Sequence, residues 1–484
     1  MHIAVIGAGP YGLAFARQRS TTDLTLPCLR SKIKLEVFGI QLIRLPNFRS
    51  NTYQSYYFAE FPHVRRPPAH PTKQQLQPYF AAYAERYGVM KRIRFGHTVL
   101  SIEERGDGER GWGLVVRDDR TGHVSRETFG YVVNAQGSFS SCPNVPYVEG
   151  RDSFQGKVLH SSEVKDETIL STGNVVLLGF GRSGLDFSVR SVKNRKAGDH
   201  GETHLVARTP RWLIPQYILG IHADYLLYNR MSTAMMTAWF HLGFEKLIHG
   251  EDKPKSDECD PVGNTSFVAR AFWGFIQFAV RVSCGLWKGN PLLPKHQVQI
   301  AMEPAGFYSL ARKNKIKTHI GVSIAKLQDR QVFLTDGLLP KSKEYLLEKD
   351  GIYLYRHLVH PDLKDMAFMG KNHSLLSIPI AELTAHWITA NLREELQYPP
   401  EKPSLNPSKL FANGSQYLDE LCVDLGVTPF RKIKRVGGWW NPFGLLFEAF
   451  GACGPRIMSF QWFAVSWLLL RNPEEGLERT VIIG

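Results

Sequence analysis

The sequence predicts an α/β protein built on two dinucleotide-binding, Rossmann-like units. Three stretches carry that expectation. HIAVIGAGPYG, residues 2–12, is an apolar strand that runs straight into Gly-x-Gly-x-x-Gly, and NVVLLGFGRSG, residues 174–184, repeats the arrangement. Between them, FQGKVLHSS at residues 154–162 spaces Phe154, Gly156 and His160 as Phe-x-Gly-x-x-x-His. In such turns Gly7 and Gly179 permit the tight bend, and Gly9 and Gly181 let the backbone approach a pyrophosphate. Gly12 and Gly184 let each helix pack close on its strand. Two such turns in one chain point to two nucleotide cofactors exchanging electrons.

Composition narrows the class. With 43% hydrophobic and 21% charged residues in 484, the chain is globular rather than disordered and long enough for two or three domains. Its net charge of +14 suits surface solubility first, then attraction to an anionic coenzyme or membrane surface. No basic run is interleaved with aromatics, so a nucleic-acid groove is not expected. The cysteines at 28, 142, 259, 284, 422 and 453 never form Cys-x-x-Cys, which argues against a metal site and a dithiol redox centre. Met1 leads directly into the first strand, so the expected location is the cytosol or the cytosolic face of a membrane.

The order of fingerprint, Phe-x-Gly-x-x-x-His and second fingerprint resembles the flavin-containing monooxygenase family, from residue 2 to about Trp462. Val164 stands where that family's longer motif usually has an aromatic residue. The resemblance implies FAD at the first turn and NADPH at the second, with the NADPH unit inserted in the FAD unit. The implied division is residues 1–158 for the first part of the FAD domain and 159–330 for the NADPH domain. The rest of the FAD domain and a C-terminal extension take residues 331–484.

In the first unit, residues 2–7 read as a strand and the segment from Gly12 as its crossover helix, with Pro10 in the turn. Lys34–Phe38 reads as the second strand; Gly39 follows where the family has a ribose-binding Glu. The family's Gly-Gly-x-Trp segment is absent from the stretch after it. Asn51-Thr52 and Phe58–Pro62 match the family's Asn-Thr and Phe-x-Asp-Phe-Pro, which makes Asn51 the candidate catalytic side chain beside the reactive flavin edge. A turn asparagine bonded to its own backbone is the equal alternative. A helix over 71–87 and strands over 95–104 and 112–117 follow. The strand within 128–146 ends in Ala135-Gln136-Gly137, where the family has Ala-Thr-Gly, and Gly137 is a candidate cofactor contact.

In the second unit the helix follows Gly184, and Ser183 can donate to a phosphate at its start. Thr203–Arg208 reads as the next strand. An acid at its end would select NAD, whereas the guanidinium of Arg208 suits the 2′-phosphate of NADP; Arg211 is a second candidate. Residues 212–300 are an aromatic-rich insertion. Its apolar run Phe267–Trp287 reaches the roughly 20 residues of a membrane span. Arg270, Gln277 and Arg281 nevertheless fall on one helical stripe, which predicts an amphipathic or groove-lining helix. Strands over THIGVSIAKL and RQVFLTDG follow. After Gly337 the family's strand ending in Ala-Thr-Gly-Tyr is missing. A helix over Ile378–Ile388 is expected, with Pro379 in its first turn and its positive end toward the flavin.

The resemblance implies a monooxygenase that uses NADPH and O₂, through a flavin hydroperoxide, to oxygenate an amine nitrogen or a sulfide sulfur. Two alternatives stay open: a Baeyer–Villiger oxygenase, and a family member impaired by the missing segments or misassembled in its gene model. His160 is expected to order the junction between units rather than act as a base. Substrate identity and oligomeric state are left open.

Overall fold

The computed structural model describes residues 2–18, 34–39, 56–65, 67–68, 71–105, 109–137, 145–164, 166–218, 221–223, 267–286, 290, 292, 300–335, 354–360, 362–371, 377–396 and 414–427. Strand β1 (His2–Ile6) is apolar on both faces and almost wholly buried, as a central parallel strand must be. It turns at Gly7 into α1 (Pro10–Gln18), whose Pro10 sits where a missing amide hydrogen costs nothing. β2 (Lys34–Gly39) pairs parallel with β1, one residue longer than expected. After α2 (Lys73–Arg86), β3 (Ile93–Phe95) pairs parallel with β2. The expected strand over 95–104 therefore divides. Its first residue closes β3, and His97–Glu104 forms β4, which pairs antiparallel with β5 (Trp112–Asp118) and through it with β6 (Val124–Phe129).

β7 (Tyr131–Asn134) returns to the other side of β1, Ile3 opposite Tyr131 and Ile6 opposite Asn134. The chain then leaves to build a second parallel sheet from β8 (Val175–Leu178), β9 (Thr203–Ala207) and a later strand. α3 (Arg182–Lys193) crosses between the first two. Short strands β10 (Trp212–Ile214), β11 (Tyr217–Ile218) and β12 (Ile221–His222) lead away from it. α4 (Phe267–Cys284) realises the expected helix of the insertion. Gln277 and Arg281 are half-buried, while its outer face shows Phe275, Phe278 and Val282, each more than half exposed. The polar stripe thus turns inward, in the groove-lining sense; the Arg270 side chain lies outside the described residues. Among the described residues no helix is long and apolar enough to cross a membrane.

β13 (Ile300–Met302) pairs with β10, α5 (Phe307–Arg312) follows, and β14 (Ile316–Ile320) completes the second sheet in the order β14-β9-β8. The hairpin β15 (Ile324–Gln328) and β16 (Gln331–Leu334) comes next. β17 (Met366–Phe368) then pairs with β7, so the first sheet reads β17-β7-β1-β2-β3 and is completed from both sides of the second. The fold is two Rossmann-like units, the second inserted in the first. α6 (Ser377–Leu392) is buried nearly all round against α1, and α7 (Gly414–Asp424) packs on α6. One apolar cluster joins β1, α1, α2, α6 and α7, with Trp387, Phe15 and Phe80 at its centre. A separate one lies around α3, α4 and α5.

Candidate functional site: two glycine turns

Both fingerprints fold alike. Gly7 has φ of 112° and Gly179 of 114°, a region closed to most side chains. At Gly12 a Cβ would stand 1.9 Å from the Gly7 carbonyl oxygen; at Gly184 it would stand 2.4 Å from that of Gly179. Those glycines let α1 and α3 close onto their strands. Gly9 and Gly181 differ, because a Cβ on either would meet no atom of the described residues within 4 Å. Nothing among the described residues needs them to be glycine. The space over them suits a phosphate, and the helix start beside it offers unpaired amides and the positive end of a dipole. Pro10 opens α1, while Gly181 is the N-cap of α3 and Ser183 lies in its first turn.

Around the first turn three strand ends converge. The Gly7 turn abuts the end of β7, since a Cβ on Gly7 would meet the Ala135 carbonyl oxygen at 2.7 Å. Gly137 (φ 74°) follows β7, and Gly370 (φ 75°) follows β17. A Cβ on Gly370 would meet the Gly137 Cα at 2.9 Å and the Tyr11 ring at 3.1 Å. Lys371 Nζ donates to the Gly137 carbonyl at 3.3 Å. Six residues on, α6 begins at Ser377 with Pro379 buried in its first turn. Asn51 lies outside the described residues. The loop that follows it is held to α6: Ala59 N donates to both Glu382 carboxylate oxygens, at 2.9 and 3.1 Å. Burial raises Glu382 to about 8, against the hydrogen bond from Ala59 and the charge of Arg17. Arg17 pairs with Glu60 and stacks over Tyr87, its guanidinium carbon 4.8 Å from the ring centroid.

At the second turn, Arg208 is exposed one residue beyond β9, and Arg211 is exposed on the same loop. α3 carries an acid of its own: Arg182 Nε donates to buried Asp186 at 2.6 Å, and Arg190 pairs with Glu167. The Phe-x-Gly-x-x-x-His stretch is a pair of turns. The Phe154 ring lies over Gly156, where a Cβ would come within 2.4 Å of it. His160 Nδ1 accepts from Ser162 N at 3.2 Å and meets Ser162 Oγ at 2.8 Å, and His160 N donates to Glu163 at 2.6 Å. These bonds occupy the imidazole nitrogen that faces its own turn.

Comparison with known proteins finds the same likeness. The family model described as flavin-binding monooxygenase-like matches residues 47–244, a stretch holding Asn51, the Phe-x-Gly-x-x-x-His turns and the second glycine turn. Probable flavin-containing monooxygenase 1 of Arabidopsis thaliana is 24% identical, over 91% of this chain and 95% of the relative. Over most of its length the chain is similar to flavin-containing monooxygenases. The rabbit (Oryctolagus cuniculus) flavin-containing monooxygenase 3 is likewise 24% identical, over 88% of this chain and 83% of its own length. Among solved structures, OTEMO in complex with FAD and NADP aligns with a TM-score of 0.57 at 17% identity, covering 87% of this chain and 91% of that one. Cyclohexanone monooxygenase of Rhodococcus sp. Phi1 bound to NADP⁺ aligns with a TM-score of 0.53 at 17% identity, over 96% and 98%. The Arabidopsis alignment runs over 536 positions against 484 residues here, so that monooxygenase carries stretches this chain lacks.

Glu382 and Lys371 escape the family's motifs. Glu382 has one signal in the sequence, a lone carboxylate inside the apolar run Ile378–Ile388. Lys371 has another, a cation placed directly after Gly370 at a strand end.

Proposed function

We propose that the chain is an FAD- and NADPH-dependent monooxygenase that oxygenates a soft nucleophile, an amine nitrogen or a sulfide sulfur. The net reaction consumes substrate, O₂, NADPH and a proton and gives oxygenated substrate, NADP⁺ and water. The observation that carries this reading is the matched pair of turns, each with a middle glycine whose missing Cβ the protein itself does not use. Gly7, Gly9, Pro10 and Gly12 would hold FAD with Gly137 and the start of α6 at Pro379. Gly179, Gly181, Ser183 and Gly184 would hold NADPH, with Arg208 on its 2′-phosphate. Asn51 is the side chain assigned beside the reacting oxygen. The corresponding division is residues 1–158 and 331–484 for FAD and 159–330 for NADPH.

The bound flavin supplies the oxygen chemistry that no side chain offers. The protein's own tasks are to bind, to orient and to keep water out. Amine and sulfide substrates are preferred because the relatives include dimethylaniline monooxygenase [N-oxide-forming] 2 of rabbit, 23% identical over 88% of this chain. The Phe154, Gly156 and His160 turns keep Baeyer–Villiger oxygenation as the second reading. The test is to titrate the purified chain with FAD and follow its visible spectrum. NADPH is then added without oxygen, and air is admitted with an amine, a sulfide or a cyclic ketone. Flavin that binds, bleaches with NADPH and transfers oxygen to amine or sulfide supports the reading. Transfer to the ketone alone selects the second reading. A chain that stays colourless at saturating FAD overturns both.

A further inference from the structure

Lys371 stands where the loops leaving β1, β7 and β17 meet, next to the close approach of Gly370, Gly137 and Tyr11. Its Nζ donates to the Gly137 carbonyl at 3.3 Å and has no other hydrogen bond or ion pair among the described residues. Burial holds its pKa below that of a free lysine. A half-buried ammonium with one long bond to a neutral oxygen is under-compensated, and an anion beside it would remove the penalty.

The sequence supplies no such anion. There is no Asp or Glu from Gly7 to Gln18, from Ile40 to Ala59, from Thr128 to Val148 or from Gly370 to Ala381. Those are the segments that leave the carboxyl ends of β1, β2, β7 and β17. Among their described residues they hold Arg17, which pairs with Glu60, and Lys371. In open α/β sheets ligands bind outside the carboxyl ends of the strands. Those segments therefore offer Lys371 no acid.

We propose that Lys371 is a cofactor-binding residue whose ammonium takes an anionic oxygen of FAD. The proposal rests on the reading that the first turn binds FAD. Lysine here also answers the loss at Gly39, because one charge-assisted contact to a phosphate or to the reduced ring takes the place of an acid on the ribose. Two parts of FAD offer such an oxygen, the pyrophosphate and the flavin ring with the negative charge of its reduced form.

The experiment uses the full chain stripped of flavin, as wild type, Lys371→Met and Lys371→Gln, titrated with FAD and separately with ADP at two salt concentrations. Expected is a rise in the FAD dissociation constant of about ten- to a hundredfold in both variants. Its salt dependence should weaken, and the melting temperature of the stripped protein should hold. A parallel loss for ADP assigns Lys371 to the pyrophosphate. Unchanged ADP binding with a more negative flavin potential assigns it to the ring. Equal FAD affinity, ADP affinity and potential in all three proteins overturns the proposal and leaves the FAD site standing. So does a loss confined to Lys371→Met, since glutamine can keep the Gly137 bond without the charge. A wild type that binds no FAD overturns the proposal and the function together.

Discussion

The six fingerprint glycines separate by what a methyl group would meet. At Gly181 it meets nothing within 4 Å and the backbone is extended, φ −82° and ψ 169°. Gly181→Ala is expected to leave the stripped protein's stability within about 0.5 kcal/mol of wild type. The coenzyme phosphate, not the protein, should feel the change, and NADPH affinity should fall at least tenfold. At Gly184 the same methyl would press on the Gly179 carbonyl, and Gly184→Ala should cost about 1–3 kcal/mol with or without coenzyme. Urea unfolding of both variants beside NADP⁺ binding separates the two roles; a destabilised Gly181→Ala would contradict them. Arg208→Ala, at an exposed position, should weaken NADPH and leave NADH nearly as it was. An equal loss of both coenzymes in steady-state kinetics would make Arg208 structural.

Among the elements, α6 departs most from what its sequence announces. Its apolar pattern and Pro379 are legible from residues 378–388, although the helix runs on to Leu392, and so are the strand-turn-helix units at either fingerprint, because period and glycine spacing are local signals. Glu382 is another matter. Its partner is a backbone amide more than three hundred residues away in sequence, and no local pattern reports that. The boundary between β3 and β4 is hidden in the sequence for a related reason. Residues 95–104 read as one strand, and only pairing with different neighbours assigns Phe95 to β3 and His97–Glu104 to β4. Glu382 makes a pH prediction. Its carboxyl ionises near 4.5 when unfolded and about 8 when folded, so between those values the folded chain binds more protons than the unfolded one. Stability should therefore fall as pH rises across that window. Glu382→Gln can still accept from Ala59 and should flatten the fall. Denaturant unfolding at pH 5, 6.5 and 8 measures it; identical slopes in both proteins would refute the burial argument.

For the whole molecule, α7 is bound to the first unit by a buried ionic knot. Arg356 donates to both Asp424 oxygens, at 2.8 and 2.9 Å, and to Glu420 at 2.7 Å. Trp387 Nε1 reaches Asp424 at 2.9 Å, and Tyr417 returns a bond to the Arg356 carbonyl at 2.6 Å. Asp424 is 1% exposed. Asp424→Ala leaves Arg356 with Glu420 alone and Trp387 Nε1 without its acceptor, and should cost about 1–3 kcal/mol in denaturant unfolding. A cost below 1 kcal/mol would show that α7 is a passive tail. The charges of this knot are scattered over 356, 420 and 424, so the sequence shows them only as ordinary surface residues.

The pairing of β17 with β7 bears on the order of events at the ribosome. All three strands of the second sheet lie between residues 175 and 320, whereas the first sheet is complete only when β17, Met366–Phe368, has been made. Synthesis proceeds from the amino terminus at about 5–20 residues per second, and domains fold as units. β1, β2, β3 and β7 must then wait roughly ten seconds or more with the β7 edge unpaired, while the inserted unit has all its strands in hand. A nascent chain stalled after β16 is expected to protect the inserted unit from protease and leave the first unit open to cleavage and to holding chaperones.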